Sequence, residues 1–260
     1  MGDAIMLHRV KQRYPKFTYT GNYQYIDDGS GNWRIKFLSG GTLTFTSLGN
    51  ARKGIDVFLV GGGGGGSWYT NTISWEMKAG GGSGYTLTVK DGSIVPVKGT
   101  GYSITIGAGG AAGGSAGANG AVGGNTTAFG KTAYGGNRGS NGSTDNGYKA
   151  RTGYTRVPYY EPDSHGWAYG GYGGSGGNIA NGTLNYPATN GANGTNNGVG
   201  EGSVGHGQGN PPGTHEFWES SGALYASGGG RDSSVRNNTG NGGNYNGAGS
   251  SGIVVIRNHR

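Results

Sequence analysis

The chain has 260 residues, a formal net charge of +7 and no cysteine, and 64 of its residues are glycine. Without cysteine it has neither a disulfide framework nor a thiolate metal site. Its 7 prolines also exclude collagen, which needs roughly 15–20% proline or hydroxyproline.

The first predicted strands come from the runs 33–37 and 42–46, in which apolar and polar residues alternate. This period of two is typical of a half-buried strand. The glycine pair at 40–41 between the two runs predicts a hairpin turn.

Further alternating or apolar runs predict strands at 55–60, 85–89, 102–106 and 253–256. The first of these is almost continuously apolar, as expected for a strand covered on both faces. Asp91-Gly92 and Pro96 mark the connection between the second and the third. We expect 253–256 to return and pair beside 55–60, which closes a small antiparallel β scaffold.

Glycine also recurs every third residue, at Gly114, Gly117, Gly120 and Gly123 and again at Gly240, Gly243, Gly249 and Gly252, with Asn246 at the missed turn. A polyproline-II-type helix has about three residues per turn and no internal hydrogen bonds, so its backbone must bond to neighbouring chains. Glycine on the inward edges lets the backbones approach closely. The period predicts packed polyglycine-II helices.

A flexible, disordered glycine-rich chain is the main alternative to such packing. Disordered chains are poor in aromatic residues, whereas this chain has 17 Tyr, 5 Trp and 6 Phe. We therefore expect a mainly β and irregular fold with almost no α-helix, in which a small antiparallel β scaffold carries a polyglycine-II helix sandwich.

We predict one main domain at 21–257 after a short N-terminal arm at 1–20. Its β scaffold takes 22–60, 85–106 and 252–257, and the polyglycine-II lattice with its loops takes 61–84 and 107–251. The sequence shows no signal peptide and no apolar run of the roughly 18 residues that a membrane span needs. We expect synthesis in a cytoplasm, release by another route and no membrane insertion.

No motif for catalysis, a metal or a cofactor is complete. The Gly-Lys-Thr tripeptide at 130–132 resembles the end of a phosphate-binding loop, but Asn125 stands where its first glycine is required. His215 lacks the second histidine of a zinc-protease helix. We expect no enzyme activity, no metal and no cofactor.

The positive charge is spread over short clusters in the arm, at 149–156 and at the C-terminus. Nucleic acid binding requires Lys and Arg gathered on one surface, so we expect no nucleic acid partner. Attraction to an anionic bacterial surface stays open.

Aromatic residues concentrate around 68–75, 148–172 and 217–225. On rigidly held loops, Tyr and Trp provide a large contact area at low entropic cost. Tyr134 and Tyr225 lie inside glycine tracts, so we expect them to be structural.

The other aromatic residues are candidates for binding. Trp68, Trp75, Tyr159, Tyr160 and Trp167 lie in segments with little glycine and no strand pattern, which predicts exposed loops. The full set of predicted binding residues is Trp68, Tyr69, Trp75, Tyr148, Tyr154, Tyr159, Tyr160, Trp167 and Tyr169.

The run Val57-Phe58-Leu59-Val60 with the six glycines after it, and the blocks 85–89, 102–110 and 251–257, stand in a specific order. In this order they resemble the glycine-rich domain of bacteriophage tail-fibre and tail-tip proteins, over about residues 40–257. The resemblance implies a polyglycine-II sandwich similar to the T-even-type distal long-tail-fibre adhesins. In those adhesins a short N-terminal segment attaches to the fibre, and loops at the far end of the lattice bind the host receptor.

We therefore expect a receptor-binding protein on a virion tail. Residues 1–20 would dock onto other tail-fibre or baseplate proteins, and the aromatic loops would contact a bacterial surface protein or glycan. Whether the chain forms a homotrimer is left open. The alternative is a purely structural glycine-rich virion or extracellular spacer protein.

Overall fold

The computed structural model describes residues 14–70, 76–114, 118–142, 154–156, 167–171, 179–181, 215–219, 223–229, 237–244 and 246–260. In these residues the strands are antiparallel and the helical structure is limited to the 3-10 turns Gly49–Lys53 and Glu216–Trp218, so the mainly β fold is confirmed. The strands are β1 (Lys16–Tyr19), β2 (Tyr23–Gly29), β3 (Asn32–Phe37), β4 (Gly41–Ser47), β5 (Ile55–Val60), β6 (Ser67–Thr70), β7 (Glu76–Ala79), β8 (Thr86–Ile94), β9 (Gly101–Thr105), β10 (Thr126–Ala128), β11 (Lys131–Ala133), β12 (Ser140–Gly142), β13 (Tyr154–Arg156), β14 (Trp167–Gly171), β15 (Ile179–Asn181) and β16 (Ile253–Asn258).

Two five-stranded sheets form what we call the base. The first sheet has the order β1-β4-β9-β10-β11 and the second the order β2-β3-β16-β5-β8. They share one apolar core, to which β3 contributes Trp33, Ile35 and Phe37 and β4 contributes Leu43 and Phe45, all fully buried. Burial of each such side chain contributes about 1.5–3 kcal/mol, and the predicted alternation of both strands is confirmed.

β5 and β16 lie next to each other in the second sheet, with Ile253 opposite Val60. Every residue of both strands is buried, because the shared core covers one face while Phe217 and Tyr225 belong to the cluster on the other. The predicted return of 253–256 beside 55–60 is confirmed.

The hairpin predicted at Gly40-Gly41 is wrong, because β3 lies in the second sheet and β4 in the first. The chain crosses between the sheets here, and a Cβ on Gly41 would lie 2.8 Å from the backbone nitrogen of Gly21. In the sequence, a hairpin and a crossing between sheets look the same here, because both show a glycine pair between two alternating runs.

The connection predicted at Asp91-Gly92 lies inside β8, which continues as far as Ile94. The pairing of β8 with β5 is interrupted there by a register shift. Gly92 has a φ of 67°, and its carbonyl oxygen occupies the space that a Cβ on Gly54 would need. The sequence signal for a turn thus corresponds to a bulge in a continuous strand.

Three strands of the first sheet were not predicted. β1 lies within the predicted arm, so residues 16–19 belong to the first sheet of the base, while residues 1–13 lie outside the described residues. β10 and β11 form a hairpin in the stretch predicted as lattice and loops. Its turn residues Phe129 and Gly130 have φ values of 51° and 70°, as a two-residue hairpin turn requires, so the Gly-Lys-Thr tripeptide forms part of this hairpin.

Residues 61–66 follow β5 directly and form the axis of a lattice of glycine-rich tracts. Their N–H groups donate in rotation to tracts 81–85, 120–124 and 247–252, and their carbonyls accept from tracts 107–113, 135–139 and 240–243. Every third residue therefore bonds to the same neighbour, which is the period of a polyproline-II-type helix. The predicted polyglycine-II lattice is present.

The axis is enclosed by backbone, which explains why it is an unbroken run of glycine. A Cβ on Gly63 would overlap the carbonyl oxygen of Asn241 at well under 3.0 Å, a separation that real Cβ atoms essentially never show. The outer tracts need glycine where they face another tract: a Cβ on Gly107 would overlap the carbonyl oxygen of Gly124, and one on Gly109 that of Gly249, whereas Ala108 between them is exposed.

The two predicted glycine series fit this lattice only in part. In the first, Gly120 and Gly123 face the axis, but Gly114 faces open space and Gly117 lies outside the described residues. The second series belongs to two tracts, 240–243 and 247–252, which bond to each other. Asn246 lies between them, so the missed position marks a reversal of the chain.

Candidate binding site

The lattice extends from the base to an opposite end. Residues 61 and 252 adjoin β5 and β16 of the base, whereas Gly66 at the other end of the axis bonds to tracts 107–113 and 247–252. β6 begins at the residue after Gly66, and β12 directly follows tract 135–139. The strands β6, β7 and β12 to β15 are called the distal end below.

Two small sheets form the distal end. One has the order β12-β14-β13 and the other β15-β7-β6. β14 adjoins β7 and β15, and β12 adjoins β6 and β7, so the two sheets are neighbours. Strands that are far apart in sequence, β6 and β7 on the one hand and β12 to β15 on the other, are therefore brought together at one end of the lattice.

The five predicted binding residues that the structure describes all lie in these strands. Trp68 and Tyr69 lie in β6, Tyr154 in β13, and Trp167 and Tyr169 in β14. Trp75, Tyr148, Tyr159 and Tyr160 lie outside the described residues. The expectation of loops is wrong for Trp68 and Trp167. Their strands are only four and five residues long, too short for a clear alternation to show in the sequence.

β14 is the central strand of its sheet, so its backbone is paired on both sides. Tyr169 is opposite Ser140 on one side and Arg156 on the other. In the other sheet, Trp68 is opposite Lys78. Paired strands hold these positions more firmly than free loops would, which suits a preorganised contact surface.

The third aromatic segment belongs to the base. The rings of Phe217 and Tyr225 lie 6.2 and 5.4 Å from the ring of Phe58, on the outer face of the second sheet. Tyr225 is therefore structural, as predicted. The prediction that Tyr134 is also structural is wrong, because 56% of this residue is exposed. Trp218 is 38% exposed, and the Nζ of Lys90 lies 4.3 Å from its ring centroid.

A charged network that the sequence analysis missed holds residues 215–219 and 223–226, the anchor segment, on this outer face. The Glu216 carboxylate accepts from Arg34 at 2.8 Å, from Tyr225 at 2.5 Å and from Lys36. Burial alone would raise the pKa of Glu216, but the hydrogen bonds from Lys36, Tyr225 and Arg34 outweigh it and hold that pKa below its usual value. Burial raises the pKa of Tyr225, and the neighbouring Glu216 carboxylate adds to the rise.

Arg257 of β16 connects the anchor segment to the centre of the sheet. Its Nε donates to the buried Asp56 of β5 at 2.9 Å, and its Nη1 donates to Glu219 at 2.7 Å. The sequence offered one signal for this contact, since Asp56 is a charged residue in an otherwise apolar strand. A buried charge requires a partner, and the predicted pairing of the two strands puts Arg257 opposite it.

Among the described residues, no group of three or more His, Asp or Glu side chains is placed to hold a metal ion. In the same part of the chain, no helix has the length and apolar character needed to cross a membrane.

Comparison with known proteins identifies a family. No curated protein matches the chain significantly. Residues 38–259 match the family model described as a glycine-rich domain, and this range spans the lattice and most strands of the base. The chain therefore belongs to the family of glycine-rich domains.

Proposed function

We propose that this protein is a non-enzymatic receptor-binding protein at the tip of a phage or phage-like tail, where it attaches to a bacterial surface protein or glycan. The observation that carries the proposal is the location of Trp68, Tyr69, Tyr154, Trp167 and Tyr169 in strands at the distal end of the lattice. Aromatic residues on a firmly held surface are typical of recognition sites.

The lattice supports this function because it presents the distal end on a rigid support. The axis bonds to neighbouring tracts along its whole length, and its residues are fully enclosed. A preorganised surface loses little conformational entropy on binding, so more of the contact energy appears as affinity.

Attachment to other tail-fibre or baseplate proteins through residues 1–20 is the second half of the proposal. β1 is an edge strand of the first sheet and lies in the base, at the end of the molecule opposite the aromatic strands. The virion and the bacterial surface would then be contacted at opposite ends.

The test removes the two aromatic side chains of β14, because deletion of the whole segment 148–169 would also remove β13 and part of β14. We expect Trp167→Ala with Tyr169→Ala to lower binding of the full chain to bacterial cells at least about tenfold, since an aromatic hot-spot residue contributes about 2 kcal/mol or more. Binding of labelled protein to a panel of bacteria, and competition with phage adsorption, measure the effect.

The matched control is Tyr134→Ala, which removes an exposed tyrosine outside the distal end and is expected to leave binding unchanged. Equal binding by the double variant and the original chain would contradict the assigned surface. A chain that binds no bacterial envelope fraction at all would favour the spacer alternative.

A further inference from the structure

The base carries an exposed apolar site at its end away from the lattice. Ile55 begins β5 at this end, whereas Val60 at the other end of the strand adjoins the axis, and the last residue of β8 is opposite Ile55. In the loop between β8 and β9, Val95 and Val97 are 57% and 59% exposed, more than any other large hydrophobic residue that the structure describes. Two such residues in one short loop provide apolar area that a partner can cover.

This loop is held firmly to the base, so the two valines keep a fixed position. Pro96 between them is buried. The N–H of Val97 donates to the hydroxyl of Tyr102 at 2.7 Å, and the N–H of Gly99 donates to the carbonyl of Phe45 at 2.9 Å. A preorganised loop of this kind loses little conformational entropy when a partner covers it.

Four exposed cations lie around the two valines. Arg52 and Lys53 end the 3-10 turn that leads into β5. Lys98 lies in the loop itself, and Lys16 begins β1 beside the end of β4. None of the four forms an ion pair with another described residue. The two valines and these four cations are called the proximal face below.

The acidic residues on the strands of the base are engaged within it. Their partners are Tyr14 for Asp27, Arg34 and Arg260 for Asp28, Arg257 and His259 for Asp56, and the N–H of Ser93 for Asp91. Neutral partners leave Asp27 and Asp91 charged, but four unpaired cations stand against these two carboxylates. The proximal face therefore keeps a net positive charge.

The arrangement of this face indicates the chemistry of its partner. An apolar centre with a polar or charged rim is the usual anatomy of a protein–protein interface. A phosphate polyanion such as a nucleic acid would pair with the cations but would give the valines no apolar contact. A protein surface with an apolar depression and Asp or Glu side chains around it matches both parts of the face.

Other parts of this protein do not match the face. In a two-fold symmetric dimer the same patch meets itself, which would bring the cations of two copies together, and like charges across an interface are unfavourable. Residues 1–13 carry Asp3 against Arg9, Lys11 and Arg13, so their charge has the same sign as that of the face.

We propose that the proximal face docks onto an acidic protein surface of the tail. The inference rests on the proposed function, in which residues 1–20 attach to other tail-fibre or baseplate proteins, and it adds a second contact, made by the loop between β8 and β9 and by the turn before β5. Residues 1–20 are themselves basic, so one acidic partner accommodates both contacts.

The test measures how much of the chain each virion carries. Phage are grown with the original or a variant gene, and the chain in purified particles is quantified by mass spectrometry relative to the major capsid protein. We expect Val95→Asp with Val97→Asp, and separately Lys53→Glu with Lys98→Glu, to lower incorporation at least about tenfold, because one removes the apolar centre and the other reverses the rim.

The matched control is Lys90→Glu, which reverses an exposed cation on the outer face of the second sheet, beside Trp218. Its incorporation should stay within about twofold of the original. All of these side chains are exposed, so the purified variants should keep the thermal unfolding midpoint and the cell binding of the original chain.

Cross-linking of original virions with a carbodiimide, which joins an amine directly to a carboxylate, identifies the partner. We expect Lys53 or Lys98 to be joined to an Asp or Glu of another virion protein. Cross-links to a second copy of this chain would show self-association and overturn the inference.

Normal incorporation of both double variants would overturn the inference while leaving the receptor-binding function in place. Loss with the lysine variant alone would indicate a polyanion, and loss with the valine variant alone an uncharged partner, and either result overturns the acidic protein surface. Loss of cell binding in a folded double variant would assign the face to the receptor, with the same consequence. Absence of the original chain from virions would instead overturn the proposed function together with the inference.

Discussion

Glycine is required at single positions of this chain for two different reasons. At Gly63 the neighbouring tracts leave no space for a side chain, and its N–H and carbonyl both bond to other tracts. At Gly92 the backbone has a positive φ, which side chains with a Cβ disfavour. Gly114 has neither constraint, since no atom of the described residues, apart from its chain neighbours, lies within 4 Å of the position of its Cβ.

Substitution of an axial glycine should therefore destabilise the fold far more than substitution at the lattice edge. We expect Gly63→Ala to lower the free energy of unfolding by at least about 3 kcal/mol, because tracts must separate and their shared hydrogen bonds weaken. Gly114→Ala, the control, should change it by less than about 1 kcal/mol. Urea unfolding measures both, and equal effects at the two positions would contradict an enclosed axis.

Glu216 is the residue through which the anchor segment should respond to pH. Its pKa is lowered in the folded chain, so the ionised carboxylate stabilises the fold above the usual pKa of Glu. This stabilisation is lost as the pH falls through the lowered pKa. At pH 7 we expect Glu216→Gln to cost about 3 kcal/mol, because Lys36 keeps its charge without a carboxylate partner among the described residues and Arg34 retains only Asp28 and Glu219.

Unfolding of both proteins in urea at pH 7, 5 and 3 tests this assignment. The difference between the original chain and Glu216→Gln should shrink as the pH falls, since the protonated carboxyl resembles the amide. A difference that stays constant over this range would show that the carboxylate contributes by shape alone.

At the scale of elements, the tracts differ from strands in how their amides are protected. In tract 107–113, Gly110 and Gly113 donate to the axis, whereas Ala108 and Ala111 are exposed and donate to no backbone group among the described residues. Hydrogen exchange should therefore be slow at every third residue of this tract and slow throughout residues 61–66. A period of two in the protection pattern would indicate an ordinary edge strand.

The strands of the base could be predicted because their side chains report burial directly. Ile35 and Phe45 each stand in an alternating run, and in both runs the apolar residues are the ones buried in the core. Which sheet a strand joins could not be predicted, since β3 and β4 present their apolar faces to the same core from opposite sheets.

At the distal end the sequence predicted candidate binding residues but not the strands in which they lie. Trp167 and Tyr169 were identified from their aromatic character, but a five-residue strand with two glycines has too little alternation to be recognised. The contact of Glu216 with Lys36 joins positions 180 residues apart, and no local pattern encodes such a pairing.

At the scale of the whole molecule, the last strand connects all parts of the fold. β16 lies between β3 and β5 in the second sheet, follows tract 247–252 of the lattice and carries Arg257, which holds the anchor segment. The base therefore lacks a central strand until residues 253–258 have been made, and long-range pairing of this kind slows folding.

Removal of β16 should consequently abolish the fold and not merely loosen one end. A chain that ends at Gly252 would leave β3 and β5 without their shared partner and would expose Phe37 and Val57, which are fully buried in the complete chain. We expect this shorter chain to show no cooperative thermal unfolding by near-ultraviolet circular dichroism. Removal of Arg260 alone is the control. It loses an exposed ion pair with Asp28 and should lower the free energy of unfolding by no more than about 1 kcal/mol. A cooperative transition in the shorter chain would mean that the lattice and the first sheet fold without the second.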